Sequence, residues 1–201
     1  MTTASNLKEN ADGTVWRLAA RMVRRRNLRA LLREDKTSFE FAGDYRRAAR
    51  CCLRLARLCV HDGDELGEFL ALREAYVCMF LTERFDETAK RRVLNRMTKL
   101  EPRVFSTVNT CVHVPLLCDF ALCCMLARET EKAHDCLRTA TLLLTTCVHP
   151  GIQDYVTFLN RTLERDVEYV KKRVRNSPYL NETSPVARAV EKLVTEAPAN
   201  R

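Results

Sequence analysis

The stretch that decides the fold is Gly43 to Leu58, GDYRRAARCCLRLARL. Gly43-Asp44 is a turn signal. Beyond it Tyr45, Ala48, Ala49, Cys52, Leu55, Ala56 and Cys59 recur at intervals of three and four residues, which puts them on one apolar helical stripe. Arg46, Arg47, Arg50, Arg54 and Arg57 take the other faces. Alanines in such a stripe let a second helix come close. The segment reads as the second helix of a tight helical hairpin.

The helical period continues on both sides. Residues 1–13 are polar and read as a disordered arm, with Thr14 as the N-cap of a helix from Val15 to about Asp35. Its apolar stripe is Trp16, Ala19, Ala20, Val23, Ala30 and Leu31, widened by Leu18, Met22, Leu28 and Leu32. A break is expected near Thr37-Ser38. After the turn His61-Asp62-Gly63-Asp64, a helix from about Glu65 to Leu81 is apolar nearly all round and should be central. Another runs to Leu100, where Pro102 ends it. Val104 to Val114 reads as a short helix or a connection. Pro115 opens the helix Leu116 to Leu126, and Glu131 to Thr145 follows after the turn Arg128-Glu129-Thr130. Ile152 to about Arg175 reads as one long capping helix, and Val186 to Val194 as a last short one. The expected organisation is a single α-helical domain over 14–175, then a linker, short helix and tail over 176–201.

Three segments align with one another. Gly43-Asp44-Tyr45-Arg46-Arg47-Ala48 matches Arg128-Glu129-Thr130-Glu131-Lys132-Ala133, and Arg84-Phe85-Asp86-Glu87-Thr88-Ala89 is a poorer third copy. The pattern resembles the tetratricopeptide repeat, whose second helix typically begins Gly-x-Tyr-x-x-Ala. The likeness covers about residues 28–145. The anchor alanines Ala48, Ala89 and Ala133 are 41 and 44 residues apart, where the family has 34, and the Trp and Leu-Gly signature of the family's first helix is missing. The resemblance implies antiparallel hairpins stacked as a short solenoid with a concave binding face; the plainer form of the same expectation is an all-α bundle. A groove built from the first helices of the hairpins would be lined by Arg73 and Tyr76 on one helix and by Asp119 and Phe120 on another.

Charge narrows the partners. There are 34 basic and 26 acidic residues, a net +8, which favours anionic partners without choosing among them. Arg21, Arg24, Arg25, Arg26 and Arg29 cluster on one helix, and Lys171, Lys172, Arg173 and Arg175 form a short run of the kind that acidic import receptors read. Each is also compatible with a solvated helix face. No apolar run reaches the roughly 18–20 residues of a membrane span, and no secretory leader is evident, so the chain is expected inside the cell, in cytoplasm or nucleus, with reduced cysteines.

Cys-Val-His occurs three times, at Cys59-Val60-His61, Cys111-Val112-His113 and Cys147-Val148-His149. Thiolate and imidazole are zinc ligands, but no Cys-x2-Cys pair accompanies them. The preferred reading is cysteine as a small core residue and histidine as a helix-end cap, with zinc as the alternative and no other cofactor expected. There is no glycine-rich phosphate loop, no acidic pair in an apolar setting and no nucleophile signature, so catalysis is not expected. The sequence therefore reads as a protein-interaction scaffold or adaptor, binding another protein or its peptide segment and open to self-association. The alternative is a nucleic-acid-associated regulatory protein using its basic helices. The dense arginine and cysteine usage is similar to that of viral accessory proteins.

Overall fold

The computed structural model describes residues 3–146, 150–176 and 184–196, with side chains described from residue 22 onward. Nine helices and no strand occur among the described residues: α1 (Thr3–Phe41), α2 (Tyr45–Asp62), α3 (Glu65–Phe80), α4 (Glu87–Thr107), α5 (Thr110–Leu126), α6 (Thr130–Leu144), α7 (Pro150–Leu163), α8 (Val167–Asn176) and α9 (Pro185–Thr195). The all-α expectation holds.

The deciding stretch behaves as read. Tyr45, Ala48, Ala49, Cys52, Leu55, Ala56 and Cys59 are all buried on α2. Fully buried Ala48 and Ala49 let α2 lie close to its neighbours, and α2 with α3 forms the most intimate helix pair. α5 and α6 make a second close pair, through the buried side chains of Ala133, Cys136, Leu137 and Ala140 on α6. α3 and α5 are buried over most of their length and sit centrally. Phe69 of α3 stands edge-on to Phe105 of α4 at 5.7 Å and to Phe120 of α5 at 5.9 Å, so one aromatic cluster ties three helices.

One turn device recurs four times. A left-handed residue ends a helix and an acidic residue starts the next: Gly43-Asp44, Gly63-Asp64, Arg128-Glu129 and Arg165-Asp166. Each makes the paired closing bonds of a Schellman motif, as where the Asp64 N–H donates to the Cys59 carbonyl at 2.9 Å and the Gly63 N–H to Val60 at 3.2 Å. Asp44, Asp64 and Asp166 then accept from the backbone N–H three residues on, at 3.0, 2.8 and 3.1 Å.

Several boundaries differ from the sequence reading, each for a local reason. The Arg165-Asp166 turn splits the expected 152–175 helix into α7 and α8. Pro102 lies inside α4, because Val104 and Phe105 beyond it are buried and hold the next turn. Pro115 likewise lies inside α5, which starts earlier at an Asn109 cap whose Oδ1 accepts from Val112 N–H at 3.1 Å. α1 passes through Thr37-Ser38, since the Thr37 hydroxyl bonds back to the Arg33 carbonyl within the helix. Its backbone is helical from Thr3, across the expected arm. α9 was expected outside the domain, yet Ala187, Val190 and Val194 belong to the common core. It docks on α3 and α8: Lys192 Nζ lies 5.2 Å from the centre of the Phe80 ring and donates to the Phe80 carbonyl at 3.4 Å, and Arg188 lies over Tyr45.

Candidate interaction surface

The expected groove residues lie in the interior. Tyr76 is 3% exposed and Phe120 is fully buried. Arg73 Nη2 meets Asp119 Oδ2 at 3.3 Å, and Tyr155 Oη donates to Asp119 Oδ1 at 3.2 Å, linking α3, α5 and α7. Burial pushes the Asp119 carboxyl up, opposed by the Arg73 charge and the Tyr155 bond. Arg73 Nε has no partner. Of the four residues the sequence reading brings to a groove, Arg73 and Asp119 meet as a largely buried ion pair and Tyr76 and Phe120 are core side chains. Their charged members read as exposed because charge usually is.

The predicted basic cluster on α1 divides in two. Arg25 pairs with Asp62 at 2.9 Å; Arg29 pairs with Asp62 at 2.9 Å and with Asp64 at 3.2 Å. These contacts fix α1 against the far end of α2. Arg24 and Arg26 are exposed and make no ion pair among the described residues; Arg33, further along, is the same. Arg21 lies on α1, outside the described side chains. In the other run, Arg173 pairs with Asp154 at 2.7 Å, whereas Lys171, Lys172 and Arg175 border a shallow hollow with Glu168.

Between those arginines α1 carries the feature that the sequence reading assigned to the core. α2 ends at Asp62, level with Arg25, so α1 continues past it. Met22 is 67% exposed, Leu31 is 57%, and Val23 and Leu28 lie open between them. Of the stripe residues with described side chains, only Leu32 is buried. By helical period Val23, Leu31 and Leu28 share one broad side of α1 with Arg24 among them, while Met22 stands opposite Leu31 on the side of Arg26 and Arg33, so this part of α1 presents apolar and basic side chains that no described residue covers. The apolar spacing was visible in sequence. What it could not show is that no described residue covers it.

The two described Cys-Val-His motifs belong to no metal-holding cluster among the described residues. On a helix the first and third residues point to opposite sides, so Cys59 is buried while His61 is exposed. Cys111 is exposed; His113 is half-buried, 4.8 Å from the Phe105 ring centre, and burial pushes its imidazole down. Cys147 and His149 lie outside the described residues. No group of three or more His, Cys, Asp or Glu side chains that could hold a metal ion occurs among the described residues. Burial pushes the Cys118 thiol up to about 12 and Cys136 up to about 11, so both behave as core side chains. No described helix is long and apolar enough to cross a membrane.

No protein-family model, curated protein or solved structure matches the chain.

Proposed function

We propose that this chain is a protein-interaction adaptor rather than an enzyme, and that it docks its partner on the uncovered face of α1. The observation that carries this reading is the exposed side of α1 formed by Val23, Leu28 and Leu31 with Arg24 among them. An apolar centre with an arginine rim is the composition of a binding surface, where aromatic and apolar anchors supply energy and charge supplies orientation. The partner is a protein segment with apolar side chains and flanking acids; a second copy of the chain is the other occupant this face would accept. The hairpins α1–α2, α3–α4 and α5–α6 are read as degenerate tetratricopeptide-like units, supported by the matched anchors Ala48, Ala89 and Ala133 near the start of α2, α4 and α6. The proposed setting is cytoplasm or nucleus, with Lys171, Lys172 and Arg175 as an import signal.

The test is capture from nuclease-treated cell lysate by tagged wild type and by the Val23→Glu/Leu31→Glu variant, both checked for equal helicity and melting temperature. Wild type should retain a few proteins, whether or not nuclease is present, and the variant should lose them. The same proteins held equally by both would remove α1 as the docking face.

A further inference from the structure

A second charged surface lies on α2, and its chemistry differs from that of α1. Arg46, Arg50, Arg54 and Arg57 stand at i, i+4, i+8 and i+11, which aligns them on one stripe opposite the buried face. The row is about 16 Å long at 1.5 Å rise per residue. All four are exposed, and none makes an ion pair among the described residues. Arg47 beside them is different: it is tied to Asp44 at 3.3 Å and lies over the Phe39 ring. α2 contains no acid before Asp62, and Asp62 is held by Arg25 and Arg29. Asp35 of α1 lies near enough to act with Arg54 on the Cys51 thiol, but forms no ion pair with the row. Like charges three and four residues apart repel, so the row costs folding energy, and no described acid forms an ion pair with it.

The row also lacks what other anionic partners need. Leu53 and Leu58 beside it are half-buried, and the one large exposed apolar side chain on α2 among the described residues, Val60, stands past the end of the row, so the row itself has no apolar centre for a protein partner and no wedge for a bilayer. No aromatic ring stands among the arginines to stack an unpaired base. What remains is a straight line of forked donors matched to a regular line of phosphates.

We propose that the outer face of α2 binds the phosphodiester backbone of double-stranded nucleic acid through Arg46, Arg50, Arg54 and Arg57, without reading base sequence. The surface is separate from the α1 face and adds a second partner class.

The experiment is fluorescence anisotropy of the full chain with a labelled 20-base-pair DNA duplex of arbitrary sequence, titrated from 50 to 200 mM salt. Four phosphate contacts give a slope of log K against log salt of about −3.6. Arg50→Gln and Arg54→Gln should each weaken binding and shrink the slope by about 1, and the fourfold Gln variant should lose binding. Arg138→Gln, an arginine paired with Asp135 on another helix, should change nothing. Val23→Glu/Leu31→Glu should leave duplex binding intact, so failure of the α1 docking face is read independently. The proposal is overturned if the Gln variants bind like wild type, or if Arg24→Gln and Arg26→Gln remove the slope instead. It is equally overturned if single-stranded DNA or poly-glutamate competes as well as the duplex.

Discussion

Arg165 holds φ at 57° and Arg128 at 63°, a left-handed conformation that costs a residue with a Cβ roughly 1 kcal/mol or more. Arg165→Gly should therefore raise stability by about 1 kcal/mol in urea denaturation. A fall instead would mean that the bond from Arg165 Nη1 to the Glu196 carbonyl, 3.2 Å long, outweighs the backbone strain. The interior offers the opposite case. Asp119→Ala would leave the Arg73 guanidinium without its counter-ion and should cost about 3–5 kcal/mol. The double variant Arg73→Met/Asp119→Leu should recover most of that, because it removes both charges and keeps apolar volume. Equal losses in the single and double variants would show instead that the ion pair itself stabilises the fold. These residues also mark the limit of reading from sequence. Gly43 and Gly63 announce their turns by composition, whereas Arg165 in the same geometry gives no compositional sign. Only the following acid, shared with Arg128-Glu129, could have exposed it. Tyr76 and Phe120 were misplaced because a helix apolar nearly all round has no legible solvent face.

At the level of the helix, legibility followed amphipathicity. α2 has a sharp buried stripe bounded by Gly-Asp pairs; every residue of the sequence stripe is buried, and Cys51 beside it is the one addition. The prolines misled because tertiary anchors beyond them, Phe105 after Pro102 and Leu116 after Pro115, hold the helix across the missing hydrogen bond. α1 misled for a different reason, since an apolar stripe predicts a wish for cover and not its presence. α9 is the converse: a short amphipathic helix beyond a proline-containing link that finds its cover within the same chain. A chain ended at residue 176 should lose about 3–6 kcal/mol, counting 1.5–3 kcal/mol for each of Val190 and Val194. The denaturant midpoint reads this directly. An unchanged midpoint would mean that α9 contributes nothing to the core in solution.

Across the whole molecule, α3 and α5 carry most of the interior, and exposed arginines without an ion pair among the described residues gather mainly on α1 and α2, with Arg91 and Arg92 of α4 as further cases. That division separates stability from binding: arginines on the outer faces of α1 and α2 can be changed with little effect on the core, and the two proposed surfaces can be tested one at a time. The return of α9 adds a consequence in time. Lys192 closes over Phe80 across 112 residues of chain. At a synthesis rate of about 5–20 residues per second, roughly 6–22 s pass between the two leaving the ribosome. Throughout that interval the half-built protein shows the seat of α9 to the cell, and a chaperone that accepts short amphipathic helices would find its site there before the chain's own last helix does.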